Sequence, residues 1–287
     1  MKQVAVVSGK GGTGKTSVIA SLASLAKDSV LVDGDVDAAD LHLLLEPTIV
    51  RREEFRSSRT ACIDEGACSA CGECREVCRF DAISSDLIVD RFACEGCGVC
   101  AHVCPEQAID LEENVSGEWF VSETRVGPLV HARLGIAEEN SGKLVAVIRN
   151  EAKTLGRERG LGLVLIDGPP GIGCPVISSI TGVDLVLVVA EPTLSGIHDM
   201  ERIVGLAVHF DIPVIACINR YDINLDMTAR IDTLCNREGI RLCGRIPFDQ
   251  RVTEAMIHRQ SVVEYCSDGA ASAIEEVWDG VLASLGR

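Results

Sequence analysis

Aromatic residues are scarce, with Phe, Trp and Tyr together making up 3% of the 287 residues. The 47% apolar content comes mostly from Val, Ile, Leu and Ala, which suits the near-continuous buried strands of a parallel sheet better than an all-β fold. Positive charge is also short. Against 43 Asp and Glu stand 27 Lys and Arg, for a formal net charge of −16. Such a field repels phosphate backbones and anionic lipid, so no nucleic-acid partner and no stable membrane anchoring are expected, and protein partners are. No stretch approaches the 18 apolar residues of a spanning helix. The first residues run straight into an apolar strand without the basic region and cleavage site of an export signal, which predicts a cytoplasmic protein.

Cysteine, by contrast, is plentiful at 14 residues. Without an export signal a disulfide scaffold is disfavoured, because cytosolic thiols stay reduced, so metal binding is the expected use. The length suits one large α/β domain with a small module.

Residues 3–7 predict a buried strand, a Gly-rich loop opens a helix over 14–27, and a second strand follows at 29–33. This is the opening of a doubly wound sheet. The charged residues 51–59 read as a linker. Apolar strands are predicted again at 163–166, 184–189 and 213–218, with helices around 144–159, 195–209, 226–238 and 270–285. The expected division is 1–58 and 119–287 as one P-loop domain, with 59–118 inserted. The last helix has an acidic polar face, which suits docking on the core; a membrane-surface helix would carry Lys and Arg there.

Gly9-Lys10-Gly11-Gly12-Thr13-Gly14-Lys15-Thr16 fits the phosphate-binding loop G-x-x-x-x-G-K-[ST], between a strand and a helix as the motif requires. Its glycines let backbone N–H groups turn towards phosphates, Lys15 neutralises β- and γ-oxygens, and Thr16 offers a hydroxyl to Mg²⁺, with Ser17 following. Asp167, at the end of the apolar run 163–166, is the candidate second carboxylate near Mg²⁺. Asp33 and Asp35 bring further carboxylates to the same end of the sheet.

With Lys10 the loop reads K-G-G-x-G-K-[ST] and resembles the MinD/ParA superfamily of P-loop ATPases, which is similar to the nitrogenase iron protein. The resemblance implies ATP with Mg²⁺ and a dimer, of identical chains or of paralogues, closed over ATP. Lys10 would reach across that dimer, Asp35 would position the attacking water and support the metal, and Asp167 would be the Walker B carboxylate. Asn219 falls on the residue that reads adenine, and the loop containing Pro247 resembles the one that closes over the base. Residues 138–143 and 167–174 resemble stretches of members of the superfamily that carry an inserted ferredoxin domain.

From residue 62 to 109 the chain repeats itself 26 residues later, pairing Cys68 with Cys94, Cys71 with Cys97, Cys74 with Cys100 and Cys78 with Cys104. Both runs have the 2-2-3 spacing of bacterial ferredoxins, in which the fourth Cys serves the other cluster. One [4Fe-4S] cluster is expected on Cys68, Cys71, Cys74 and Cys104, the other on Cys94, Cys97, Cys100 and Cys78, in a small α+β bacterial-ferredoxin-like domain. Zinc is the less specific reading of the Cys-x-x-Cys pairs. Arg79 stands where the motif has Pro. Cys62, opposite Ile88 in the repeat, reads as a small core residue, as do Cys217 and Cys243 within strands. Cys235 and Cys266 carry no ligand spacing. Cys174 lies seven residues after Asp167, as does a ligand of the bridging cluster in the nitrogenase iron protein. A packed or redox-sensitive thiol is the simpler reading.

The expected function is an ATPase that couples dimer closure to electron transfer through two clusters, with a redox or metallocluster protein as partner. Cluster assembly, or an ATP-switched scaffold, are the alternatives.

Overall fold

The computed structural model describes residues 1–135 and 141–286; Glu138, Glu139 and Asn140 of the ferredoxin-linked resemblance lie outside them. Strands β1 (Lys2–Ser8), β2 (Ser29–Asp33), β3 (Thr48–Ile63), β4 (Ile109–Thr124), β5 (Gly127–Leu134), β6 (Leu163–Pro170), β7 (Leu185–Ala190), β8 (Val214–Asn219) and β9 (Arg241–Ile246) form one sheet in the order β3-β4-β5-β2-β6-β1-β7-β8-β9. The pairs β5–β2, β2–β6, β6–β1, β1–β7, β7–β8 and β8–β9 are all parallel. Helices α1 (Lys15–Leu25), α2 (Leu41–Leu45), α3 (Glu73–Glu76), α4 (Val99–Val103), α5 (Ser141–Glu158), α6 (Cys174–Ile180), α7 (Leu194–His209), α8 (Leu225–Glu238), α9 (Gln250–Ile257), α10 (Val262–Tyr265) and α11 (Ala270–Leu285) connect the strands. This is the mostly parallel, doubly wound α/β sheet that alternating apolar strands and amphipathic helices dictate.

Contacts divide the chain into two compact units, Met1–Arg52 with Trp119–Arg133 and Ser141–Arg287, and Glu53–Glu118 with Leu134–Asn140. In the first, Val4 and Val6 of β1, Leu31 of β2 and Leu163 and Leu165 of β6 pack with Ile19 and Leu22 of α1 and with Ile274 and Val277 of α11. Alternation along each strand places Asp33, Asp167 and His131 on that same face, at the carboxyl ends of β2 and β6 and within β5. Asp33 is the register partner of both Asp167 and His131.

The linker expected at 51–59 is instead part of β3. Its residues alternate too weakly to read as a strand, since Thr48 to Glu54 are all exposed. Cross-strand pairing supplies what periodicity does not, as when Asn114 Nδ2 donates to Thr60 Oγ1 at 2.6 Å and the Ser58 and Ser116 hydroxyls meet at 2.9 Å. Only Arg125 and Val126 separate β4 from β5, a connection that only an antiparallel pair can make.

The second unit is built on the repeat. The Asp64 N–H donates to the Ala108 carbonyl at 2.8 Å, and the repeat-related Asp90 N–H donates to the Ala82 carbonyl at the same distance, so each half clasps the other. Gly72 and Gly98, at φ 82° and 75°, start α3 and α4 in the left-handed region where a side chain is strained. Ala61, Cys74, Ile83 and Ile109 form its small core. Cys62 is exposed rather than buried; the repeat places it opposite Ile88, which is itself 68% exposed.

Candidate functional site

The phosphate loop follows β1 and ends in Gly14, whose φ of 83° aims the chain into α1. A Cβ on Gly14 would stand 2.3 Å from Asn219 Nδ2, and one on Gly9 would stand 2.0 Å from the Asp199 Cβ. Both glycines therefore serve close approach. Gly11 and Gly12 meet nothing within 4 Å, so their side of the loop is open.

Lys15 is buried and its ammonium is hydrogen-bonded to Asp167. Burial works against the cation, but Asp167, with Asp35 and Asp33 behind it, holds its pKa above the ordinary lysine range. Burial pushes Asp167 up against the pull of Lys15, and it accepts a hydrogen bond from Thr16. Asp33 is raised further, by burial and then by Asp167, although its carboxylate accepts from the N–H groups of Leu41 and Asp35, each at 3.2 Å. Asp35 is half-buried and also raised, first by burial. One buried ammonium faces three carboxyls, and the excess negative charge fits a divalent cation with oxygen ligands. Thr16, Asp35 and Asp33 thus all lie close to Asp167 and Lys15.

Lys10 points elsewhere. Its ammonium pairs with Glu191 Oε2 at 3.0 Å and donates to Ser195 Oγ at 3.1 Å and Thr193 Oγ1 at 3.3 Å. Arg220 binds the other Glu191 oxygen at 3.3 Å and the Gly12 carbonyl at 3.4 Å. Sequence reasoning missed Glu191, Thr193, Ser195 and Arg220, although all lie just beyond the carboxyl ends of β7 and β8, where open α/β sheets bind ligands. Asn219 donates from Nδ2 to the Thr13 carbonyl at 2.7 Å and accepts from the Arg220 N–H at 3.1 Å, so it braces the loop. Ser17 Oγ lies 3.5 Å from the Met256 sulfur, and Pro247 lies between β9 and α9.

In the second unit the eight repeat cysteines fall into two sets. Cys68, Cys71, Cys74 and Cys104 line one small cavity, with Glu73 and Glu106. Cys78, Cys94, Cys97 and Cys100 line another, with Phe80, Glu95, Val99 and Leu111. Each cavity takes three thiols from one run and the fourth from the other. The Ala70 N–H donates to Cys68 Sγ at 3.4 Å and the Ala108 N–H to Cys104 Sγ at 3.3 Å. Among the described residues no three His, Cys, Asp or Glu side chains close around a single metal ion; each set of thiols surrounds a cavity. Cys217 and Cys235 are buried and Cys243 partly so, whereas Cys174 is exposed at the start of α6. Among the described residues no helix is long and apolar enough to cross a membrane.

Comparison with known proteins places this geometry. An uncharacterised protein of Methanocaldococcus jannaschii is 38% identical over 227 residues, covering 77% of this chain and 79% of the relative. The protein named iron-sulfur cluster carrier protein in Pyrococcus furiosus is 26% identical over 137 residues, 44% of this chain and 46% of the relative. The fold matches the septum site-determining protein MinD of Pyrococcus horikoshii, solved with Mg-ADP, at a TM-score of 0.61 and 18% identity, over 100% of this chain and 98% of that one. The family described as the CobQ/CobB/MinD/ParA nucleotide binding domain matches residues 4–262. With its phosphate loop, its buried Lys15–Asp167 pair and that match, the chain belongs to the CobQ/CobB/MinD/ParA nucleotide-binding family.

Proposed function

We propose that this protein hydrolyses ATP and couples nucleotide-dependent dimer closure to electron transfer through two [4Fe-4S] clusters. The observation that carries the reading is the division of the eight cysteines into two cavities, each lined by one of the two expected ligand sets. Four thiols around a cavity suit the tetrahedral, sulfur-preferring irons of a cubane, and backbone N–H groups aimed at Cys68 and Cys104 suit thiolate sulfur. Bound there, such clusters would supply one-electron storage.

At the nucleotide site Lys15 and the backbone N–H groups of the loop neutralise phosphate oxygens. Thr16 and Asp167, with Asp35, would hold Mg²⁺, which would neutralise charge on the phosphates, and Asp35 would orient the attacking water. Because Lys10 is held by Glu191 within its own chain, crossing to a partner's phosphates first requires that ion pair to open. The partner is a second copy or a paralogue, and the external partner is a redox protein. The relatives named iron-sulfur cluster carriers favour a second reading, in which a cluster is handed to an acceptor.

One experiment tests both. The protein is loaded anaerobically with iron and sulfide, and ATP turnover is measured before and after dithionite reduction, with iron retention followed beside an apo-acceptor. The first reading expects about eight irons per chain, all retained, and a turnover that changes on reduction. ATP-dependent loss of iron to the acceptor would establish the second, and failure to take up iron would sink both.

A further inference from the structure

Charge in the second unit is lopsided. Between residues 53 and 118 stand fifteen Asp and Glu against five Arg, with no Lys. An acidic field of this kind draws in a cationic face and speeds its approach. Where that face settles is a separate matter, decided by what can be dehydrated at low cost.

The repeat offers an internal comparison of two places. Phe80 and Val99 line the cavity of Cys78, Cys94, Cys97 and Cys100, yet are 44% and 45% exposed. Their counterparts 26 residues away are Glu106 and Glu73, both exposed, which line the other cavity. One mouth carries two exposed apolar side chains and a single carboxylate, Glu95, whereas its repeat-related twin carries two carboxylates, Glu73 and Glu106, in place of the apolar pair. Covering the twin would strip water from two carboxylates with no apolar gain, whereas a partner seated on Phe80 and Val99 removes exposed hydrophobic surface from water and leaves Glu95 as the one carboxylate to be kept at the rim or met by a cation.

Resting on the reading above, we propose that a one-electron carrier protein with a basic face docks over Phe80 and Val99 and exchanges electrons through the cavity beneath them. The surrounding carboxylates steer it and stay hydrated at the rim. Two apolar side chains make a small core, as befits a short-lived electron-transfer encounter. The step moves one electron from the reduced protein to the carrier's oxidised centre, with no bond made or broken and no proton transferred.

Ferric cytochrome c, a basic haem protein, serves as the probe. The iron-loaded protein is reduced with dithionite, freed of excess and mixed with it in stopped flow. The rate is expected to fall steeply with added salt. Phe80→Ser with Val99→Ser should lower the second-order rate constant about tenfold at low salt, at unchanged iron content and cluster absorbance. Glu73→Gln with Glu106→Gln should lower it less than threefold. If the apolar pair loses iron, Phe80→Lys, which puts a cation at the mouth, must slow transfer in its place. An unchanged rate in the apolar variant, or a larger loss in the Gln variant, overturns the proposal. So does a change from dimer to monomer in sedimentation caused by the apolar variant, which would assign the face to a second copy. Absence of bound iron in the wild type would instead refute the function on which the proposal rests.

Discussion

Asp33 and Asp167 are register partners on neighbouring parallel strands, both buried, and share the single ammonium of Lys15. Both carboxyls are held above their ordinary range, Asp33 the further. A raised carboxyl binds its proton more tightly in the folded chain than in the unfolded one. The associated stability is therefore full below pH 3.8, the ordinary value, and is lost as pH rises towards the folded value. In the nucleotide-free protein the two carboxyls should thus contribute a fall in melting temperature as pH rises from 4 towards neutrality, opposed by the separate contribution of His131. Mg-ATP should recover part of the loss, and Asp33→Asn should flatten the slope. Melting curves at several pH values, with and without Mg-ATP, check this; a slope unchanged in Asp33→Asn would refute it.

Lys15→Ala removes the partner of a buried carboxylate. The nucleotide-free protein should lose about 3 kcal/mol, since breaking a buried pair strands the other charge. ATP hydrolysis should fall by at least about a hundredfold. Cluster absorbance should persist, because the lysine and the cysteines belong to different units. Denaturant melts, phosphate release and visible spectra on one preparation separate the three effects.

Gly14→Ala combines a left-handed φ with a collision on the Asn219 amide. Asn219→Ala removes one hydrogen bond to the loop, that on the Thr13 carbonyl, together with the acceptor of the Arg220 N–H. Nucleotide affinity should therefore drop far more in Gly14→Ala than in Asn219→Ala, where one lost hydrogen bond costs about 1 kcal/mol, or roughly fivefold. Titration with a fluorescent nucleotide analogue measures both; equal losses would contradict the geometry.

Cys78→Ser should deplete the cavity formed with Cys94, Cys97 and Cys100 and leave the other intact. Iron should fall to about four per chain. If the fourth cysteine served its own run, the cluster lost would be that of Cys68, Cys71 and Cys74. Paired with Cys97→Ser, Cys78→Ser should remove no further cluster, whereas paired with Cys71→Ser it should remove the second.

His131 is buried against Phe120, with Ser122 Oγ at 2.9 Å from its Nε2. Burial, with His42 nearby, lowers it to about 4. The unfolded chain binds that proton near 6.5, so this group's contribution to stability rises with pH between about 4 and 6.5, against the fall contributed by Asp33 and Asp167. The difference is worth up to about 3 kcal/mol. His131→Gln should abolish this dependence. Urea unfolding at pH 5 and pH 7.5 decides it, and an equal difference in wild type and variant would count against the assignment.

The phosphate loop was legible because one short stretch holds every group it needs, and strand, loop and helix follow without interruption. Asp167 was legible for the same local reason, as the carboxylate that ends an apolar run. What Lys10 touches was not, since Glu191 and Arg220 meet it only after β1, β7 and β8 come side by side. β3 escaped notice because its first seven residues are all exposed, four of them charged, and its pairing lies far off in sequence. Cys62 was misplaced because its counterpart Ile88, apolar and so read as a core position, is itself exposed.

The crossed cysteine pattern has a consequence for how such a unit can come into being. A lone repeat would offer three thiols to one cavity and leave its fourth pointing at nothing. Two copies are the least number that closes either cavity, and they close both together. A chain holding both copies supplies the missing ligand from within itself, whereas separate repeats would have to find each other before any iron could be held. The duplication thus fixes in one polypeptide an encounter that would otherwise depend on concentration.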